Sequence, residues 1–410
     1  MATILAYTSP ALGHLLPMSA LLSELSVRGH HIHARTLSTG MDIAQSLGFT
    51  ADVIDPAIEE IELDDWKASN PFAALKLSVS VFSRRAAHEV ADLSGAVSRI
   101  RPDALLVDVN CWGALSAAEA GSIPWACFSP YTPPLSAAGL PPFGLGLKPL
   151  GGAVGRIRDA AARTVVVGSL ERIMVPPINR IRTDVGAPPV GSIDEFLRRA
   201  PLMLVASGKP FQYPQGNWGD AVQMIGPCVL DFDQDSVPDW LALIDRPIVL
   251  VTTSSERQAD EALVLTTIEA LADDPVHIVA TVPTAKSDEV TTSGNTTVCR
   301  FLPHGAVLDR AVCAVTHGGM GATQKALAHR VPVCVVPYGR DQFEVARRAE
   351  VAGCGTRLPA RRLSAKRLRA KVREAMTMTE GAARVAEGFA ATGGTDRGAD
   401  VFEKRVLGIT

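Results

Sequence analysis

The chain starts with a strand, a short loop, a helix and a second strand, and it repeats that pattern from residue 247 onward. Residues 3–8 (TILAYT) are a short apolar run of the kind a fully buried strand shows. Across 15–27, Leu15, Met18, Leu21, Leu22 and Leu25 recur at helical spacing, Gly29 follows as a stop, and 31–36 alternates again. Such a unit calls for a parallel sheet with helices on both faces. Residues 104–108 (ALLVD), 124–128 and 202–205 read as later strands, and 72–100 as a long helix. In the second half, 247–252 (PIVLVT), 277–281, 297–301, 312–316 and 331–336 read as strands, and 259–272 as a helix. The expected fold is therefore α/β, two Rossmann-like parallel-sheet domains facing a cleft. The expected boundaries are 1–215, 216–385 and a C-terminal helix, 386–410, packing back towards the first domain. The join falls within 210–239, rich in Pro, Gly, Asp and Trp. A length of 410 residues, 47% of them hydrophobic, suffices for two full cores. Ligands are expected in the cleft, against the carboxyl ends of the strands.

Charge and cysteine usage narrow the function. A net charge of −3 without a long Lys/Arg run gives no reason to expect nucleic acid or an anionic membrane as partner. The basic stretch 361–369 reads as an exposed helix face. The seven cysteines are scattered and form no CxxC, which fits a reducing cytoplasm. The first residues lack the pattern of a signal peptide, and no run of about 18 apolar residues suggests a membrane span. The acidic strings 231–233 and 233–235 read as solvated linker acids, and His30, His31 and His33 as surface residues, so no metal is expected. The apolar, Pro- and Gly-rich stretch 133–155 is either a structural excursion or part of a pocket wall.

Residues 316–325 (THGGMGATQK) follow a strand and precede a helix. A Gly-rich turn there presents unpaired backbone N–H groups and the positive end of the helix dipole to an anion. His317 adds a side-chain donor. The turn is neither a Walker A loop nor a GxGxxG fingerprint, and the first loop, 9–14 (SPALGH), holds a single Gly, so a dinucleotide cofactor is disfavoured.

The strings 301–308 (FLPHGAVL), 317–323 (HGGMGAT), 331–337 (VPVCVVP) and 341–342 (DQ) stand in the order and spacing of the signature of family 1 glycosyltransferases. Those enzymes have the GT-B fold, and 9–17 (SPALGHLLP) and 102–108 (PDALLVD) match their first domain. The chain resembles in particular the actinobacterial enzymes that decorate antibiotics. The resemblance implies an acceptor-binding first domain and a nucleotide-sugar-binding second one. Phe301 would stack on the base and the Leu302 backbone would bond its edge. His317, Gly319 and the N–H groups of Gly321, Ala322 and Thr323 would hold the diphosphate. Ser254 and Ser255 would reach the phosphate, although the usual Gly is absent there. Asp341 and Gln342 would bind the sugar hydroxyls. Relatives using uridine donors carry Glu eight positions after the motif His, where this chain has Lys325, which offers a 2′-hydroxyl no acceptor. A thymidine diphosphate deoxysugar is the expected donor, with Gln324 as the alternative ribose contact.

Inverting transfer needs a base for the acceptor hydroxyl. The resemblance gives that role to His14, with Asp108 accepting from its second ring nitrogen; a helix N-terminus was expected to favour neutral imidazole. Trp66, Trp112 and Phe143 are candidates for the acceptor pocket. No cofactor is expected beyond the sugar nucleotide. The partners would be an apolar natural-product aglycone, the donor and, conceivably, a second copy in a homodimer. An epimerase of the same architecture and a non-catalytic sugar-nucleotide binder are the competing readings.

Overall fold

The computed structural model describes every residue except 69, 231–237, 257, 259, 286, 288 and 410. The acidic strings 231–233 and 233–235 lie outside the described residues. The first sheet holds β1 (Thr3–Tyr7), β2 (His31–Thr36), β3 (Thr50–Val53), β4 (Ala104–Asp108), β5 (Trp125–Ser129), β6 (Met203–Val205) and β7 (Val222–Met224). Their order is β3-β2-β1-β4-β5-β6-β7, with every pairing parallel. The second sheet holds β8 (Ile248–Thr252), β9 (His277–Thr281), β10 (Thr291–Ser293), β11 (Thr296–Cys299), β12 (Ala311–Thr316), β13 (Val333–Val335) and β14 (Gly355–Arg357). Its order is β10-β11-β9-β8-β12-β13-β14, parallel except for the edge hairpin β10–β11. These two sheets are the pair that the repeated pattern predicts.

Burial on both faces explains why the central strands read as continuous apolar runs. Successive side chains point to opposite faces of a strand. Leu5, Tyr7, Leu105 and Val107 thus join one core of the first domain, and Ile4, Ala6, Ala104 and Leu106 the other. In the second domain Ile248 and Leu250 face one core, Val249 and Val251 the other. The short edge strands β3, β7, β10 and β14 escaped the sequence analysis because three or four residues carry no usable periodicity. β7 lies at 222–224, so the first sheet runs past the expected 215/216 boundary.

The chain then returns to the first domain. Helix Thr379–Thr392 ends at Gly393, whose φ of 102° turns the backbone into helix Gly394–Arg405. Ala399, Val401 and Phe402 of that last helix belong to the same core as Leu21, Leu22 and Leu25 of helix Leu12–Val27. Arg28 bonds Glu24, Asp400 and Glu403, each at 2.7 Å. His30 bonds Glu403 at 2.9 Å and is only 5% exposed, so it is not the surface residue expected from its alternating neighbours. The returning helix Gly394–Arg405 covers it through Glu403.

Further contacts join the domains. Gln324 Nε2 donates to the Ala206 carbonyl at 2.9 Å and Arg348 Nε to Gln212 Oε1 at 2.9 Å. The buried Glu344 carboxylate accepts from Gly144 N at 2.9 Å and Gly146 N at 2.8 Å, while Arg348 balances its charge at 2.7 Å. The stretch 133–155 is thereby strapped to the second domain before it ends in helix Gly152–Ala162. Among the described residues no helix is long and apolar enough to cross a membrane.

Phe402 is fully buried, so Phe402→Ala is expected to destabilise the first domain by about 3–5 kcal/mol. A urea midpoint equal to that of the unaltered chain would show that the last helix is peripheral to that core.

Candidate active site

In each sheet the strand order reverses at one point, between β1 and β4 and between β8 and β12. At such a switch point the connections leave on opposite faces and a crevice opens at the carboxyl ends. Four segments therefore converge: those after β1, β4, β8 and β12. They carry most of the residues expected from sequence.

The first helix begins at Leu12, with Ala11 as N-cap, so His14 lies in its first turn rather than in the loop before it. His14 Nδ1 sits 2.7 Å from Asp108 Oδ2, and Asp108 is 0% exposed at the end of β4. Asp108 Oδ1 accepts from Asn110 N at 2.8 Å, which fixes the carboxylate plane. An acceptor-only carboxylate makes Nδ1 the protonated nitrogen of the neutral ring and leaves Nε2 with a lone pair. Burial pulls the His14 pKa down, but the charge and hydrogen bond of Asp108, with the charges of Glu256 and Asp341, outweigh it and leave the imidazole above its usual value. The expected dominance of the helix N-terminus is thus corrected: the buried carboxylate decides, and it makes His14 a stronger base.

Glu256 and Asp341 come from the second domain, so His14 faces that domain across the cleft. Burial pushes the Asp341 carboxyl up to about 6, against the charges of His14 and Arg340. Arg340 crosses the cleft to Asp65 at 2.8 and 3.0 Å and also pairs with Glu256. Burial takes His317 down to about 4, opposed by the Thr252 carbonyl 3.4 Å from Nδ1; Arg340 and Glu256 act on it too. Both imidazoles thus share Glu256 as a neighbour.

The helix Met320–Ala328 starts at Gly319, and no side chain caps it. Thr323 N already donates to Gly319 O at 3.1 Å, and the Thr323 hydroxyl, fully buried, meets Thr316 Oγ1 at 3.1 Å. Thr323 is therefore not a phosphate ligand as expected; its N–H closes the first helical turn, and the open donors are those of Met320, Gly321 and Ala322. Gly318 adopts a φ of 97°, and a Cβ on Gly319 would strike the His317 ring. Both glycines are required by the turn itself.

The other candidates divide. Phe301 is 65% exposed, as a stacking platform must be, whereas Leu302 is buried. Ser254 Oγ accepts from Glu256 N at 3.1 Å and its own N–H is held by Asp260 at 2.7 Å, which shapes the loop and leaves the hydroxyl proton to donate; Ser255 is exposed. Gln342 is buried, its Oε1 accepting from Tyr338 N at 2.8 Å and Gly339 N at 3.1 Å and its Nε2 meeting Gln258. The expected sugar ligand is thus committed to its own loop, leaving Asp341 as the open group. Trp112 is buried in the first core and packs on Phe82; Trp66 and Phe143 are partly exposed. Asn110, Tyr131, Glu256 and Arg340 were not singled out from sequence. Each stands beside a motif, not in it, and only packing reveals its partner. Among the described residues no group of His, Cys, Asp and Glu could hold a metal ion.

Residues 265–396 match the family described as "Erythromycin biosynthesis protein CIII-like, C-terminal domain". The chain is 30% identical to 4'-demethylrebeccamycin synthase of Lentzea aerocolonigenes over 390 residues, covering 91% of each. It belongs to the antibiotic-type glycosyltransferases. The GT-B fold is shown by the glycotransferase of kitacinnamycin, at a TM-score of 0.73 and 23% identity over 99% of both chains. The glycosyltransferase SsfS6 of Streptomyces sp. SF2575, complexed with thymidine diphosphate, superposes at 0.67 with 16% identity over 98% of this chain and all (100%) of that one. Family membership sets aside the epimerase and the non-catalytic binder.

Behind the pair in this glycosyltransferase, Glu89 accepts from Gly113 N at 2.8 Å while almost fully buried, and burial pushes its carboxyl up to about 8. The folded chain keeps a proton there that the unfolded chain releases at ordinary carboxylate pH. Stability therefore falls as pH rises from the ordinary carboxylate range through about 8. Glu89→Gln should narrow the loss of melting temperature between about pH 6 and about pH 9 by roughly 2 °C or more. An unchanged gap would mean that Glu89 is ionised in the fold.

Proposed function

We propose that the protein is an inverting glycosyltransferase that moves a sugar, expected to be a deoxysugar, from thymidine diphosphate to a hydroxyl of an apolar natural-product aglycone in antibiotic biosynthesis. The observation that carries this reading is the His14–Asp108 pair, 2.7 Å apart, facing the second domain and its uncapped helix at Gly319. The acceptor's O–H proton passes to His14 Nε2. Its oxygen bonds the anomeric carbon from one face while the bond to the diphosphate oxygen breaks on the other, which inverts the centre. Asp108 stabilises the imidazolium that forms. The departing charge meets the N–H groups of Met320, Gly321 and Ala322 and the helix dipole, so we expect no metal requirement.

His317 contributes in a charged form. The Thr252 carbonyl only accepts, so the neutral ring carries its proton on Nδ1 and has no donor on Nε2. An arriving diphosphate would favour the imidazolium, whose Nε2–H can then bond a phosphate oxygen. Phe301 stacks on the base and Asp341 takes the sugar hydroxyls.

The thymidine preference rests on the ribose corner. Lys325 stands where an acidic acceptor would be needed, and Gln324 is turned into the domain seam, its amide on the Ala206 carbonyl. The structural neighbour bound to thymidine diphosphate supports the same donor class. The cytoplasmic location rests on seven cysteines that are all buried and unpaired.

Isothermal titration should show tighter binding of thymidine diphosphate than of uridine diphosphate; a preference for uridine would remove the donor assignment but not the enzyme class. His14→Ala should retain diphosphate binding and lower turnover by about 10²–10⁴-fold. Turnover equal to that of the unaltered enzyme would reject His14 as the base.

A further inference from the structure

His14 Nε2, the nitrogen that must take the proton, already has a neighbour. Asn110 Nδ2 lies 3.3 Å from it. The same amide accepts from the Tyr131 hydroxyl at 2.7 Å through Oδ1, and the Tyr131 ring meets the imidazole edge-on at 5.8 Å. Asn110 is itself locked to Asp108 through its backbone N–H at 2.8 Å. One short segment after β4 thus reaches both nitrogens of the base, Nδ1 through Asp108 and Nε2 through Asn110.

We infer that Asn110 is a positioning residue for the base: its amide, oriented by Tyr131, holds His14 as the Nδ1–H tautomer and marks the seat that the acceptor oxygen takes at Nε2. The inference rests on His14 being the base. An amide is suited to this place because it serves both protonation states. Towards neutral Nε2 it donates through Nδ2. Once Nε2 has taken the acceptor's proton, a half-turn about the Cβ–Cγ bond presents Oδ1 to the new N–H and Nδ2 to the Tyr131 oxygen, which can accept as well as donate. A carboxylate would favour only the charged ring, and an apolar side chain neither. The acceptor hydroxyl displaces Nδ2 from the lone pair and inherits its position, which aligns it with the nitrogen before transfer.

The charged and titratable groups around His14 are Asp108 after β4, Tyr131 after β5, Glu256 after β8 and Asp341 before helix Gln342–Val351, with Arg340 pairing Glu256. The pH comparison alters only Asn110 and Tyr131. Asn110→Asp places a carboxylate at Nε2 and should move the acidic limb of kcat/KM up by about one pH unit or more. The His14 resonance, assigned in ring-labelled protein by its loss in His14→Ala, should titrate with the same shift. Tyr131→Phe, which keeps the ring, should raise the acceptor KM and move both midpoints up by less. Diphosphate binding should be unchanged in both.

Acidic limbs and His14 titrations identical to those of the unaltered enzyme in Asn110→Asp, or in Tyr131→Phe if the first does not fold, would overturn the inference. His14→Ala separates the two readings. If it abolishes turnover while the Asn110 and Tyr131 variants leave the titration in place, the base stands and the positioning role falls. If it leaves turnover intact, the base assignment itself falls.

Discussion

The hydrogen bond between His14 and Asp108 depends on a topological constraint more than on local sequence. β1 and β4 are adjacent and parallel, with Tyr7 opposite Val107, so both strands end at the same edge of the sheet. The chain leaves β1 towards one side and β4 towards the other, and the space between the two exits is where the imidazole meets the carboxylate. Ninety-four residues separate the two positions, yet the ladder brings them to 2.7 Å. The second sheet uses the same device, with Thr252 opposite Thr316 and the loops bearing Glu256 and His317 leaving from β8 and β12.

The cleft is useful only if its two walls hold register. Three kinds of contact do this, and they differ in physical character. The returning helix Gly394–Arg405 adds apolar surface to the first core, a non-directional and large contribution. The Glu344 carboxylate, buried between the glycine N–H groups of 144 and 146 and Arg348, is directional and would be costly to leave half-satisfied. Arg340 lies between these extremes, bridging Asp65 of one wall and Glu256 of the other beside Asp341. A single loop, 338–342, therefore carries the proposed sugar ligand and fastens the domains together. Gln342 shapes that loop through its side-chain oxygen.

Nearby acids set the electrostatic character around His14. Asp108 lies behind the imidazole, and Glu256 and Asp341 lie ahead of it. Their sum outweighs desolvation and keeps His14 basic, whereas His317, whose ring faces a carbonyl, is held neutral. Two histidines beside the switch points of the two sheets thus have opposite tendencies, with a full charge nearest His14 and a carbonyl nearest His317.

Where signals are local, the sequence was sufficient. Central strands were legible because a strand buried on both faces must be apolar throughout, and the uncapped turn before Met320 because a helix that starts with glycines exposes its own N–H groups. The family signature added His14 and Asp108. The edge strands were not legible, being too short to carry a period, nor was the burial of His30, which depends on a helix more than three hundred and sixty residues away. The first helix starts at Leu12, earlier than the expected 15–27, because its first turn carries Gly13 and His14 and so no apolar period. The side chains of Thr323 and Gln342 each have the right chemistry for a ligand, and only the packed structure shows their oxygens bonded to nearby groups. Sequence alone determined the two-sheet architecture and marked the Gly-rich turn at 316–325, since periodicity and backbone donors are properties of neighbours along the chain. The protonation preference of His14, the Asn110 contact and the closure of the cleft were decided only by tertiary structure, because electrostatic and hydrogen-bond energies depend on distances through space that residue order does not encode.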